Sequence, residues 1–225
     1  MTEKKIVNLA ESREIKMNII LIHGTGGYKS ESYFAWLKIE CEKIGLNVFI
    51  PQMPGWRDGG TYEMWRDIFD KECGHLISKE TIILAQSLGT RFAVKYLGEV
   101  NKEVKAYISC AGMYDMAKMR DTPENVLRIK DFELQIPSFT VSKDEYKKFA
   151  NFNFPKFSFY SDNDNFFEQS NLELYANSID AKHILVKGKG HFSIFAGVRE
   201  FPEVLEIILN LAKSSSNTLS RTKKC

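Results

Sequence analysis

Short apolar runs recur along this chain, and stretches with a helical spacing of apolar residues lie between them. The runs lie at 17–22, 46–50, 81–85, 104–110, 156–160 and 183–186. Each run is too short for a buried helix and ends near glycine, proline or small polar residues, which predicts buried strands. Strands that alternate with helices indicate β-α-β units. We therefore expect an α/β fold, with a mostly parallel, twisted sheet of about six strands, helices on both faces and no large cap domain.

The length of 225 residues fits a single domain. We predict a polar N-terminal segment at 1–16, one α/β domain at 17–212 and a mobile, serine-rich tail at 213–225. The connection at about 111–155 is longer than a crossover needs, which indicates an insertion over one edge of the sheet. Nine of the 16 phenylalanines lie at 132–167. They either extend the core or form an apolar wall beside a site.

Charge and cysteine usage exclude several classes of protein. The 31 basic and 29 acidic residues leave a net charge of +2, which gives no field for binding nucleic acid or an anionic membrane surface. No apolar run approaches the length of a membrane span, and the first residues lack a signal segment. The four cysteines are far apart, which is typical of reduced thiols. The expected location is the cytoplasm.

The third strand runs directly into Ala-Gln-Ser-Leu-Gly at 85–89, and a helical stretch follows. Parallel strands end at one edge of the sheet, where ligands bind, so functional residues should directly follow strands. Ser87 fits a nucleophile elbow, which needs small residues two positions before and after the serine, here Ala85 and Gly89. The alternative is that Ser87 is only the N-cap of the helix.

A serine nucleophile needs a base, and the chain has four histidines. His75 and His183 lie before or at the start of strands, which is the wrong edge. His23 follows the first strand but lies in a glycine-rich loop. His191 follows the sixth strand, and the glycines beside it would let the loop turn back over the edge. His191 is therefore the predicted base.

The acid that orients the base should also follow a strand. Asp162 and Asp164 both follow the fifth strand, and Asp115 follows the fourth. One of the first two could instead close an Asx turn. Each of these three acids gives the chain order Ser, Asp, His that is typical of α/β-hydrolases.

An oxyanion hole needs two backbone N–H groups that point at the developing charge. Leu88 follows the nucleophile, and Thr25 lies in the loop His-Gly-Thr-Gly-Gly at 23–27 after the first strand; these two are the predicted donors. The same loop could bind phosphate instead. However, it lacks the third glycine of G-x-G-x-x-G, and no G-x-x-x-x-G-K-[ST] motif is present.

Four motifs occur together in this order: His-Gly-Thr-Gly-Gly, Ala-Gln-Ser-Leu-Gly, Asp-Asn-Asp-Asn-Phe-Phe, and the Gly-x-Gly-His-Phe sequence that ends at residue 192. Over residues 18–212 the chain resembles the small α/β-hydrolases of the retinoblastoma-binding-protein-nine/YdeN type. The resemblance implies that Asp164 is the triad acid, because it precedes a turn residue and two apolar residues. The chain departs from the family pattern at Ala85, at Asn165 and in the long 111–155 stretch.

These features together predict a carboxylesterase-like serine hydrolase with a Ser87–Asp164–His191 triad. It would cleave small-molecule carboxylic esters or amides through an acyl-enzyme. No metal or other cofactor is expected, because no cluster of histidine and acidic residues has ligand spacing. Two alternatives stay open: a non-catalytic member of the fold that binds a protein partner, and an acyltransferase that uses the same triad.

Overall fold

The computed structural model describes residues 17–26, 33–132 and 135–221. The predictions for the N-terminal segment 1–16, for Gly27 and for the last four residues of the tail fall outside these ranges. No helix within them is long and apolar enough to cross a membrane.

One six-stranded sheet runs through the described part of the chain, and all of its strand pairs are parallel. The strands are β1 (Asn18–Ile22), β2 (Asn47–Phe49), β3 (Thr81–Gln86), β4 (Ala106–Cys110), β5 (Lys156–Tyr160) and β6 (Lys182–Leu185). Each lies within two residues of its predicted bounds. The sheet order is β2-β1-β3-β4-β5-β6. The predicted α/β fold class is confirmed.

Helices cover both faces of the sheet. They are α1 (Phe34–Glu42), α2 (Tyr62–Glu72), α3 (Leu88–Val100), α4 (Pro123–Asp131), α5 (Gln135–Ser138), α6 (Lys143–Ala150), α7 (Gln169–Ser178) and α8 (Pro202–Arg221). Apolar residues of α2, α3, α6 and α7 pack on one face, in one buried cluster with Ile20 and Ile22 of β1. Those of α1 and α8 pack on the other face, with Ile19 and Leu21. This alternation along β1 explains why the strand is apolar throughout.

The sheet order places the end of β3 at the centre of the functional edge. The direction in which successive strands are added to the sheet reverses at β1, because β2 lies on one side of β1 and β3 on the other. Ser87 directly follows β3, and its N–H donates to the carbonyl of Cys110 at the end of β4 (2.9 Å). Such a switch point between neighbouring strands leaves a crevice above the carboxyl ends, where ligands of α/β proteins bind.

The 111–155 stretch divides into two parts. Helix α6 packs against α3 and α7 and completes the crossover between β4 and β5. The earlier part, which contains Met113, Met116, Met119 and Phe132, lines a cavity at the carboxyl edge instead. The phenylalanines divide in the same way. Phe139, Phe149 and Phe154 are core residues, Phe132 and Phe166 line the cavity, and Phe167 belongs to the core and also lines the cavity.

Helix α8 is longer than its apolar pattern indicates. The pattern predicts an end at Ala212, but the helix continues to Arg221. The residues at 213–221 include serine, asparagine and threonine but no glycine or proline, so each costs only a fraction of a kcal/mol in the helix. The predicted tail at 213–225 therefore begins within this helix, and its bounds stay a prediction. Its mobility stays a prediction.

Candidate active site

Ser87 lies on a strained turn between β3 and α3. Its backbone has φ 51° and ψ −123°, a region that non-glycine residues rarely adopt. A Cβ added at Gly89 would lie 2.5 Å from the carbonyl oxygen of His23, so the turn closes against the backbone after β1 and requires glycine there. The Ser87 side chain makes no capping hydrogen bond to α3. It projects towards the edge of the sheet, as an elbow requires.

Three side chains form a continuous hydrogen-bonded chain at this edge. The Ser87 Oγ lies 2.9 Å from Nε2 of His191, and Nδ1 of the same imidazole lies 2.7 Å from Oδ2 of Asp164. The other carboxylate oxygen, Oδ1, accepts hydrogen bonds from the N–H groups of Phe166 (2.8 Å) and Phe167 (3.1 Å). The structure thus brings together the three residues that the sequence predicts for the triad.

The ionisation of Asp164 determines which ring nitrogen of His191 carries the proton. Asp164 is 2% exposed and His191 6%. Burial alone would raise the pKa of Asp164, but the charge and hydrogen bond of His191 and the two backbone N–H groups outweigh it, so the pKa is lowered. An ionised carboxylate can only accept, so Nδ1 of the imidazole carries its proton. Nε2 is then left as the acceptor for the serine hydroxyl.

The two other candidate acids have different hydrogen-bond partners. Asp115 Oδ1 accepts from the N–H of Ala117 (3.0 Å) and caps the turn after β4. Asp162 Oδ1 accepts from the N–H of Gly188 (2.8 Å). Asp115 therefore stabilises its own turn, and Asp162 joins the loop after β5 to the loop after β6. The Asx-turn contact that the sequence allowed for one of the two acids after β5 is made by Asp164, whose Oδ1 accepts from the N–H of Phe166 two positions on.

Three hydrogen bonds between successive residues join the loop after β5 to the loop after β6. The pairs are Asp162 with Gly188 N–H, Ser161 Oγ with Lys189 N–H and Asn163 Oδ1 with Gly190 N–H, at 2.8, 3.0 and 2.8 Å. Gly188 and Gly190 have φ of +70° and +51°, which glycine adopts without strain. These contacts fix the backbone directly before His191 relative to the backbone directly before Asp164.

Two further residues position the site, and the sequence analysis missed them. The amide of Gln86 donates to the carbonyls of His191 (3.3 Å) and Phe192 (3.1 Å), which ties the loop of His191 to the strand that precedes Ser87. The guanidinium of Arg120 donates to the carbonyl of Asp164 (2.7 Å). Gln86 was visible in the motif beside Ser87, whereas nothing local in the sequence marks Arg120.

The other histidines lie outside the hydrogen-bonded chain. His23 is buried; Nδ1–H donates to the carbonyl of Gly24 (2.7 Å), and Nε2 accepts from the N–H of Met53 (3.1 Å). Burial lowers its pKa, so the ring is neutral and holds the loop after β1. His75 lies in a 3₁₀ turn before β3, and His183 contacts Tyr160 and Asn177.

A cavity of about 640 Å³ opens above Ser87 and His191. Thr25 and Leu88, the two predicted oxyanion donors, both line it. A Cβ at Gly24 would lie 3.0 Å from Cβ of Ser87, so the loop after β1 passes very close to the serine. Across the cavity, the rings of Trp56 and Phe132 meet edge to face with centroids 6.0 Å apart. Its size is in the range of small-molecule sites.

The parallel sheet with a strained serine turn after a central strand defines the α/β-hydrolase fold. The model of the serine hydrolase family matches residues 19–210, so the chain belongs to that family. No curated protein matches the sequence.

Solved structures share the fold at low sequence identity. The ydeN gene product of B. subtilis has a TM-score of 0.72 at 20% identity, covering 87% of this chain and 98% of its own. A carboxylesterase of the thaumarchaeon Nitrososphaera gargenis has a TM-score of 0.68 at 15% identity, with 91% and 94% covered. The monoacylglycerol lipase of Paleococcus ferrophilus has a TM-score of 0.63 at 15% identity, with 87% and 94% covered.

Proposed function

We propose that the protein is a carboxylesterase-like serine hydrolase that cleaves small-molecule carboxylic esters or amides through an acyl-enzyme. Ser87 is the nucleophile, His191 the general base and acid, and Asp164 the group that orients the imidazole. One observation carries the proposal: the hydrogen-bonded chain from Asp164 Oδ2 through His191 to Ser87 Oγ, with contacts of 2.7 and 2.9 Å. Both contacts are within the range that proton transfer requires.

Acylation begins when Ser87 Oγ attacks the substrate carbonyl and its proton passes to His191 Nε2. The imidazolium that forms lies against the Asp164 carboxylate, whose lowered pKa keeps it ionised. The carbonyl oxygen becomes an oxyanion, and the N–H groups of Leu88 and Thr25 stabilise it. Their position on the cavity wall, next to the serine turn, supports this assignment.

The second half of the cycle reverses these roles. His191 donates its proton to the leaving alcohol or amine as the tetrahedral intermediate collapses to the acyl-enzyme. A water molecule then loses a proton to Nε2 and attacks the acyl carbonyl, and the acid product leaves Ser87. The Asp164–His191 contact holds the imidazole in one orientation through both steps, so the same nitrogen serves each proton transfer.

The ester class is supported by two of the structural neighbours, a carboxylesterase and a monoacylglycerol lipase.

We also propose a cytoplasmic location. Cys41, Cys73 and Cys110 are buried thiols and form no disulfide with one another, which is typical of a reducing compartment.

A fluorophosphonate probe tests the nucleophile directly, with mass spectrometry of the modified peptide. We expect a covalent adduct on Ser87 and no adduct in Ser87→Ala, with the fold retained. Ser193→Ala is the matched control, because Ser193 also lines the cavity but its Oγ accepts from the N–H of Ala196. That variant should label like the wild type. An unlabelled wild type, or an adduct elsewhere, would favour the non-catalytic binding protein.

A further inference from the structure

The cavity has one strongly apolar side. Six residues form it, and we call them the methionine–phenylalanine wall: Met113, Met116, Met119, Phe132, Phe166 and Phe167. The first four come from the 111–155 stretch after β4, and the two others from the turn after β5. Met113 is 2% exposed and Met116 7%, so both line the cavity while their side chains are largely buried.

The position of His191 relative to this wall indicates which part of a substrate lies there. Met113, Met116 and Phe167 belong to the core on the α2–α3 face of the sheet, whereas the chain after His191 packs on the α1–α8 face through Phe192. A leaving group must lie within reach of His191 Nε2 to receive its proton. The oxyanion must face the loop after β1. The acyl chain is the remaining substituent of the carbonyl, and the wall supplies six of the ten apolar side chains that line the cavity.

The chemistry of the wall favours a flexible chain over a rigid ring. Three of the protein's seven methionines lie in it. Methionine is unbranched and has a polarisable thioether, so it adapts to ligands of varying shape. Phe166 and Phe167 lie against the imidazole, with ring centroids 4.7 and 6.0 Å from it, and form the end of the wall beside the reacting centre.

We propose that the methionine–phenylalanine wall binds unbranched aliphatic acyl chains of about six to ten carbons, a length that a cavity of this size can bury. The natural substrates are then medium-chain acyl esters rather than acetyl esters. This inference rests on the proposed function, because it assigns the acyl side of the same site. The wall adds a preference for the length of the acyl chain, which the triad alone does not provide.

The first test measures kcat/KM for p-nitrophenyl acetate, butyrate, hexanoate and octanoate, below the concentrations at which the esters aggregate. A buried methylene is worth up to about fourfold, so we expect kcat/KM to rise at each step to octanoate. A flat or falling series overturns the inference. A parallel series of alkyl acetates should stay nearly flat. A rise in that series alone would place the wall on the alcohol side and overturn the acyl assignment.

The second test uses the octanoate-to-acetate ratio of kcat/KM within each variant, because this ratio does not depend on the folded fraction. Met116→Gln should lower the ratio about tenfold by placing an amide in the wall, and Met116→Leu should keep it within about twofold. Met64→Gln is the matched control, since Met64 is 43% exposed on α2. Should Met116→Gln not fold, Met119→Gln, which is half-buried, replaces it.

The outcomes separate the two proposals. An unchanged ratio in the glutamine variants, with turnover that still depends on Ser87, overturns the acyl-chain assignment alone. An equal fall of the octanoate-to-acetate ratio in Met64→Gln would also overturn the acyl-chain assignment. The fall would then not depend on a residue of the wall. Ester turnover that persists in Ser87→Ala, or no turnover of any ester, overturns the proposed function and this inference with it.

Discussion

Replacing Asp164 by asparagine changes one atom of the proposed triad and leaves its shape intact. Oδ1 of Asp164 accepts from the N–H groups of Phe166 and Phe167, at 2.8 and 3.1 Å. An asparagine must keep its carbonyl oxygen there, because its NH₂ group would face two donors in the flipped orientation. The NH₂ group then lies in the position of Oδ2, 2.7 Å from His191 Nδ1.

This geometry predicts the loss of activity. An amide donor at Nδ1 forces the imidazole proton onto Nε2, so that Nε2 can no longer accept the proton of Ser87. The same change in serine proteases lowers kcat about 10⁴-fold, and we expect a loss of that order here. Stability at neutral pH should change by only about 1–2 kcal/mol, because both backbone contacts of Oδ1 remain. The assay is steady-state hydrolysis of p-nitrophenyl butyrate, with a urea titration for stability.

Two matched variants make this prediction specific. Asp162→Asn keeps an oxygen that can accept from Gly188, and Asp115→Asn keeps one for Ala117, so both should retain turnover within a few-fold. A loss of less than tenfold in Asp164→Asn would refute the reasoning. A severe effect of Asp115→Asn would move the acid to the end of β4.

The pH dependence of stability gives a readout independent of turnover. The pKa of Asp164 in the folded protein lies below its ordinary value of 3.8. Its carboxylate therefore contributes stability above that pH, and this contribution is lost as the pH falls through the folded-state pKa. Asp164→Asn lacks the contribution. The difference in unfolding free energy between the two proteins should narrow as the pH falls from about 5 through the folded-state pKa of Asp164, and a constant difference would contradict the assigned ion pair.

Two further variants test the base and the elbow. His191→Ala should lower ester turnover by several orders of magnitude, whereas His75→Ala and His183→Ala should retain turnover within about twofold of the wild type. Equal losses in all three variants would refute the rule that functional residues directly follow strands. Gly89→Ala should destabilise the protein by about 2–4 kcal/mol in urea, because its Cβ would lie 2.5 Å from a carbonyl oxygen. Gly98→Ala on the same helix is the control, since a Cβ there meets nothing within 4 Å and should be neutral or stabilising.

The sequence predicted those parts of the molecule that local patterns encode. Runs of apolar residues located the strands, and the small residues around Ser87 marked its turn. The rule that functional residues follow strands separated His191 from His75 and His183. The choice of Asp164 over Asp162 came from the family resemblance, because both acids follow the same strand.

Long-range contacts could not be predicted in this way. The sheet order depends on which strands pair, and no residue of β1 specifies β3 as its neighbour. Arg120 reaches the acid from an insertion 44 positions earlier in the chain. The three contacts between the loops after β5 and β6 join residues that look like ordinary turn formers. The helix end at Ala212 was predicted too early, since the loss of an apolar stripe ends burial and does not by itself end a helix.

The sheet order also determines when the site can assemble during synthesis. His191 lies in the loop after β6, which is an edge strand of the sheet and pairs with β5. Ser87 and Asp164 precede His191 in the chain and leave the ribosome earlier. A nascent chain would therefore lack the proposed base, and the contacts that hold the Asp164 loop, until β6 has been made and has docked. Reaction with a serine-directed probe would then measure the completion of folding of the whole sheet.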